Sequence, residues 1–149
     1  MEKTLAILIG IQASGKSTFY HQFLAEDYVR VNLDTLKTRH QEQLLVDDCI
    51  RQGKSFAVDN TNPMKADRER YILPAKAAGY KIVGYFMESK LKACIERNNL
   101  RTGKENIPIT AIASTSNKLQ IPSYDEGFDE LYFVKNDGKT LTVLEWRDE

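Results

Sequence analysis

Leu5-Ala6-Ile7-Leu8-Ile9-Gly10-Ile11-Gln12-Ala13-Ser14-Gly15-Lys16-Ser17 is the stretch that decides the fold. Residues 5–9 are a short, continuous apolar run closed by Gly10, the pattern of a strand buried on both faces of a parallel sheet. A glycine-containing loop follows, and the sequence predicts a helix over 16–25. Working outward, 28–32 reads as a second strand. Asp34 or Thr35 can cap a long helix that runs to Gln52 and stops at Gly53. A third strand is predicted at 55–59, then a polar loop at 60–63 and a helix over 65–78 that Pro74 should bend or break. A fourth strand at 80–86 and helices at 91–99 and 109–119 follow. Strands at 131–134 and 141–144 flank Asn136-Asp137-Gly138, a strong hairpin signal. Strand and helix alternate, so the fold class is α/β with a mostly parallel sheet, the hairpin adding an antiparallel edge.

The chain has 149 residues, which predicts one domain over 1–149. Its 42% hydrophobic and 28% charged residues are those of a globular protein and exclude disorder, collagen and coiled coil. Lys+Arg and Asp+Glu are 21 each, and this zero net charge disfavours a general polyanion-coating role while leaving a local basic groove open. Cys49 and Cys94 form neither a disulfide framework nor a metal-ligand spacing, and read as reduced thiols of a cytoplasmic protein. No apolar run approaches the ~20 residues of a membrane span, and the N-terminus lacks signal-peptide features.

Residues 10–17 match G-x-x-x-x-G-K-[ST], the phosphate-binding loop or P-loop. Each part has a mechanical reason. Glycines permit the backbone angles that turn several N–H groups inward around a phosphate. The helix that opens here adds its positive end. A lysine at position 16 reaches the β- and γ-phosphates of a nucleotide, and a hydroxyl at Ser17 ligates Mg²⁺. The expected nucleotide contacts are Gly10, Gln12, Ala13, Ser14, Gly15, Lys16, Ser17 and Thr18. The alternative is a glycine-rich turn that binds nothing; its position between strand and helix weighs against that.

Three later segments bear on the reaction. Asp34 stands at the C-terminal end of the second strand, the sheet edge where ligands of open parallel sheets sit. There it either takes a proton from an attacking hydroxyl or simply caps the next helix. Asp59 ends the apolar third strand and either orients Mg²⁺ or forms a turn; Asn60, Thr61 and Asn62 extend the polar cluster. Arg97 and Arg101, four apart on one helix face, either close over ATP phosphates or belong to a solvated face. The loop bracketed by Gly103 and Pro108 is expected to move when ATP binds.

Taken together, these residues resemble the kinase domain of the polynucleotide 5′-kinase family, within the AAA-type P-loop kinases. The matching segments are 10–17, 31–34 with Lys37, 58–62, Arg97-Asn98 with Arg101, and Glu126-Gly127-Phe128-Asp129. They span nearly the whole chain. The resemblance implies a P-loop kinase three-layer sandwich with parallel sheet order 2-3-1-4-5 and the antiparallel hairpin at its edge. It implies ATP and Mg²⁺ as cofactors, with Ser17 and Asp59 on the metal. Asp34 would be the general base on the 5′-hydroxyl of DNA or RNA, and Lys16, Arg97 and Arg101 would grip the donor phosphates. Asp34, Lys37, Asn60 and Asn62 would hold the acceptor. Lys37 stands where the family has an arginine, keeping the charge but losing the bidentate fork. Arg39 faces elsewhere on an ideal helix.

His21 and His40 read as solvated or hydrogen-bonded groups, Arg68 and Arg70 as surface charges on a helix that could border the acceptor, and Trp146 as core or edge packing. Two competing readings remain: a small-molecule kinase acting on a nucleoside, sugar or antibiotic hydroxyl, and a non-catalytic nucleotide-binding module. Neutral charge and Lys37 favour the first of these over a nucleic-acid acceptor; the ordered segments favour the nucleic acid.

Overall fold

A computed structural model describes residues 2–103 and 106–147. The apolar run becomes β1, Thr4–Ile9, and its residues 5–9 have no exposed surface at all. It sits mid-sheet because only a strand covered on both faces can hide five consecutive apolar side chains. The remaining strands are β2 (Val29–Val31), β3 (Phe56–Val58), β4 (Lys81–Met87), β5 (Glu130–Asn136) and β6 (Leu141–Glu145). Their order is β2-β3-β1-β4-β5-β6, with β5–β6 antiparallel and the other pairings parallel. This is the expected 2-3-1-4-5 arrangement with the hairpin at its edge.

The helices are α1 (Lys16–Phe19), α2 (Leu33–Leu36), α3 (Arg39–Gln52), α4 (Lys65–Ala77), α5 (Leu91–Asn99) and α6 (Ile109–Lys118). Alternation along β1 sorts the core. Leu5, Ile7 and Ile9 pack with Val46 and Cys49 of α3 and with Tyr71, Ile72 and Ala75 of α4. Ala6 and Leu8 face Phe19, Tyr20 and Leu24 on the other side. Gly84 lies inside β4 because a Cβ there would come within 2.7 Å of Phe128 and Leu131 side chains.

Several local expectations change. The helix after the glycine loop continues past Phe19 as a π-helix, Tyr20–Leu24. The single helix predicted from position 34 to Gln52 is two helices. Lys37 takes φ 76°, and Thr38 then caps α3 by accepting the amide of Gln41 at 3.1 Å. Pro74 does not break α4: only three residues follow it, and its neighbours Tyr71, Ile72 and Ala75 are locked against the sheet. Arg68, read as a surface charge, is fully buried, whereas Arg70 is exposed. Trp146 packs on Phe86 with ring centroids 5.9 Å apart. The loop expected to move contains 104 and 105, which lie outside the described residues. No helix among the described residues is long and apolar enough to cross a membrane.

Candidate active site

The site lies at the C-terminal ends of β1, β2 and β3, where α1 and α2 begin. The loop between β1 and α1 curls because Ala13 and Gly15 take φ 64° and 104°. Gly10 answers a different constraint: a Cβ there would fall 2.6 Å from Ser14 Oγ and 2.9 Å from Met87 Cβ. The amide of Gly10 donates to Thr61 O at 3.0 Å, tying the loop to the segment after β3. Ser14 Oγ and Gln12 Oε1 are buried with no hydrogen-bond partner, an unusual cost for a protein interior unless something else binds there.

Lys16 folds back over its own loop. Its Nζ donates to Gly10 O at 3.1 Å and Ile11 O at 2.9 Å. Burial brings its pKa down from 10.5 to about 8, against the opposing pull of Asp59. The ammonium is therefore held in a low-dielectric cradle by two carbonyls, which is weak compensation for a desolvated charge.

Ser17 and Asp59, the two residues assigned to the metal, lie next to each other. Ser17 Oγ lies 3.2 Å from Asp59 Oδ2. Two adjacent oxygens around an octahedral Mg²⁺ are separated by about 2.9 Å, so this hard oxygen pair fits such an ion. Among the described residues no group of three or more His, Cys, Asp or Glu side chains could hold a metal, so phosphate or water would supply the remaining ligands. Sequence reasoning missed Arg30, whose guanidinium bonds both Ser17 and Asp59. A charged residue in a short edge strand gave no signal of its destination.

Asp34 is exposed and is not the cap of α2. Asn32 does that work, its Oδ1 accepting the amide of Thr35 at 3.0 Å while its Nδ2 donates to Asp59 O at 2.6 Å. Asn60 accepts the amide of Leu33 at 2.9 Å, immediately before Asp34. It donates in turn to the buried carboxylate of Glu42 at 2.9 Å, which also receives Tyr71 Oη at 2.9 Å and Arg39 Nη1 at 2.8 Å. Three donors satisfy this carboxylate, and its burial with Tyr71 pushes the Tyr71 pKa up. Asn62 Nδ2 donates to Leu8 O at 2.9 Å.

These groups enclose a cavity of about 540 Å³, lined by Lys16, Ser17, Asp59 and Arg101 together with Asp34, Arg39, Asn60 and Asn62. Gln12, Ala13, Gly15 and Thr18 also line it. Lys37 does not. The break in the helix turns it outward and brings Arg39, expected to face elsewhere, to the cavity wall. Arg97 lines a second cavity of about 230 Å³ with Arg101 and the β5–β6 turn. Its Nε donates to Ala13 O at 2.7 Å. Asn136, another residue the sequence did not single out, donates to Ser14 O at 2.9 Å and ties the hairpin to the glycine loop.

Comparison with known proteins follows the same lines. A family model described as an AAA domain matches residues 5–120. The bifunctional polynucleotide phosphatase/kinase of Schizosaccharomyces pombe is 30% identical over 128 residues, covering 83% of this chain and 31% of that protein. The chain thus spans a third or less of the length of the curated relatives it matches. Among solved structures, Chaetomium thermophilum Kti12 in complex with ADP-AlF3 superposes with a TM-score of 0.71 at 16% identity, covering 89% of each chain. A gluconokinase from Sinorhizobium meliloti 1021 gives 0.62 at 16% identity, covering 89% of this chain and 82% of that one.

Proposed function

The chain belongs to the AAA-domain family, and on that premise we propose that it moves the γ-phosphoryl group of ATP to the 5′-hydroxyl of a DNA or RNA strand. One observation carries the reading. A single cavity is lined both by the phosphate-loop groups Lys16 and Ser17 and by the Asp34 carboxylate and the Arg39 cation. A donor phosphate and an anionic acceptor would meet between them.

In this reading the ATP phosphates enter the glycine loop and offer oxygens to Lys16 Nζ in place of the Gly10 and Ile11 carbonyls. The nucleoside lies toward the second cavity, between Arg97, Arg101 and the β5–β6 turn. Ser17 and Asp59 would hold Mg²⁺, which would supply charge neutralisation for the transferring phosphoryl group. Asp34 orients the acceptor hydroxyl and accepts its proton as the oxygen attacks in line. Lys16 and Arg101 offset charge on the transferring group. Arg39, not Lys37, faces the acceptor phosphate. The relative from Schizosaccharomyces pombe supports a nucleic-acid acceptor by its name.

A second reading, a small-molecule kinase, is favoured by the zero net charge of the chain. Transfer from γ-labelled ATP to a short 5′-hydroxyl oligonucleotide separates the two. The same strand already 5′-phosphorylated is the acceptor control, and Lys16→Ala the enzyme control. Label on the 5′-hydroxyl strand alone supports the first reading; no label with ATP bound transfers the weight to the second.

A further inference from the structure

Arg30 projects from the edge strand β2 into the space between Ser17 and Asp59. Its Nε donates to Asp59 Oδ2 at 2.9 Å, its Nη2 lies 2.8 Å from the same oxygen, and Nη2 also donates to Ser17 Oγ at 2.8 Å. Asp59 Oδ2 therefore takes hydrogens from two donors, Arg30 Nε and the Ser17 hydroxyl, with Nη2 alongside as an ion-pair contact. The Asp59 side chain is 1% exposed and that of Arg30 27%. A buried carboxylate needs a compensating charge, and here the guanidinium supplies it.

We infer that Arg30 is the resident cation of the Ser17–Asp59 pair and that it exchanges with a divalent ion for the same two oxygens. The inference rests on the metal role given to that pair under the proposed function. The two cations exclude one another for simple reasons. The guanidinium already occupies the Oδ2 and Oγ lone pairs that a metal would take. A divalent ion placed there would also stand against a positive charge at hydrogen-bond range.

The guanidinium has somewhere to go. Its Cζ already lies 5.7 Å from the ring centroid of Tyr20, a cation–π contact made in the same pose as its bonds to Ser17 and Asp59. The long, partly exposed side chain can swing outward about its stem while the ring keeps it in reach. Arg30 then has two effects. Before loading, it holds the Asp59 carboxylate and the Ser17 hydroxyl in place. During loading, it raises the divalent concentration needed, so that the metal enters most readily with a nucleotide whose phosphates add ligands.

The test reads metal binding rather than catalysis. Mn²⁺ binding is followed by electron paramagnetic resonance for the wild type, Arg30→Met and Arg30→Lys, each with and without ADP. Thermal midpoints are taken in EDTA and in MgCl₂. Arg30→Met keeps the stem but removes the charge, and should bind Mn²⁺ about tenfold more tightly, the factor a charge-assisted contact of this kind carries. Arg30→Lys, with a charge but no fork, should fall between the two. In EDTA the Arg30→Met midpoint should lie below that of the wild type, and MgCl₂ should raise it more. Equal Mn²⁺ affinity in all three proteins overturns the exchange while leaving the kinase reading standing. No Mn²⁺ binding by any of them, even with ADP, overturns the exchange and the metal role of Ser17 and Asp59 together.

Discussion

Arg68 and Glu126 form a bidentate ion pair in the interior, Nε to Oε1 at 2.8 Å and Nη2 to Oε2 at 3.1 Å. Their side chains are 0% and 7% exposed. The third guanidinium nitrogen, Nη1, donates to Asn62 O at 3.1 Å, Pro63 O at 3.3 Å and Gln120 O at 3.1 Å. Arg68 thus fastens α4 to the site loop after β3, to the chain after α6 and to the turn before β5. The pair is a structural clamp on the loop that carries Asn60 and Asn62.

Removing one partner should therefore be costly. Arg68→Leu leaves Glu126 buried without its counter-charge and takes the donor from the Asn62 and Gln120 carbonyls, while Pro63 O keeps the Gln120 amide. A loss of about 3–5 kcal/mol is expected, read as a lowered urea midpoint at unchanged m-value. Arg70→Leu, one of the exposed neighbours on α4, should move the midpoint by less than about 0.5 kcal/mol.

That contrast shows what sequence makes legible. Residues 10–17 announce themselves because the chemistry is local: glycine at a close approach and at a positive φ, then lysine and serine at fixed offsets. The α/β class and the antiparallel hairpin follow from the apolar runs and the Asn136-Asp137-Gly138 turn; the strand order comes with the family resemblance. Arg68 and Arg70 look alike in sequence, since charge and helix membership say nothing of which carboxylate comes to meet them. The partner Glu126 is 58 residues away. Arg30 is hidden for the same reason, its partner Asp59 lying 29 residues on. Lys37 and Arg39 exchange places through one residue at φ 76°, a break that the capping ability of Thr38 allows but does not announce.

The exchange has a kinetic consequence. Arg39 uses Nη1 on Glu42 and Tyr71, at 2.8 and 3.0 Å, and its side chain is 54% exposed at the cavity wall. Arg39→Ala should raise KM for a 5′-hydroxyl oligonucleotide about tenfold, the loss of one charge-assisted contact, with KM for ATP unchanged. Lys37→Ala should leave both within about twofold, as surface substitutions do. Steady-state kinetics with each substrate varied in turn reads the difference.

Lys16 gives nucleotide binding a pH dependence of definite sign. In the free protein its pKa is lowered to about 8 by burial. Phosphate oxygens favour the ammonium, so the bound state has the higher pKa and binding takes up a proton wherever the free lysine has lost one. ATP affinity should be level up to about pH 7, be roughly halved by pH 8 and fall further above it, by at most about tenfold per pH unit for a single group. Calorimetry at pH 8.5 in buffers of different ionisation enthalpy should show the uptake. Lys16→Met should bind weakly and without it.

Asp34 separates chemistry from architecture. Asn32 caps α2 and Asn60 holds the Leu33 amide, so the Asp34 carboxylate makes no hydrogen bond that the helix needs. Asp34→Asn keeps the shape and removes the base. Phosphoryl transfer should fall by about 10²–10⁴, the usual contribution of a positioned general base, with ATP affinity and thermal midpoint unchanged. Asn32→Ala should do the reverse to stability, costing about 1 kcal/mol through the lost cap. It should also slow transfer, because the same side chain holds Asp59 O at 2.6 Å. Full transfer by Asp34→Asn would remove the carboxylate from the reaction and leave orientation of the acceptor, through Arg39 and Asn60, as the work of that wall.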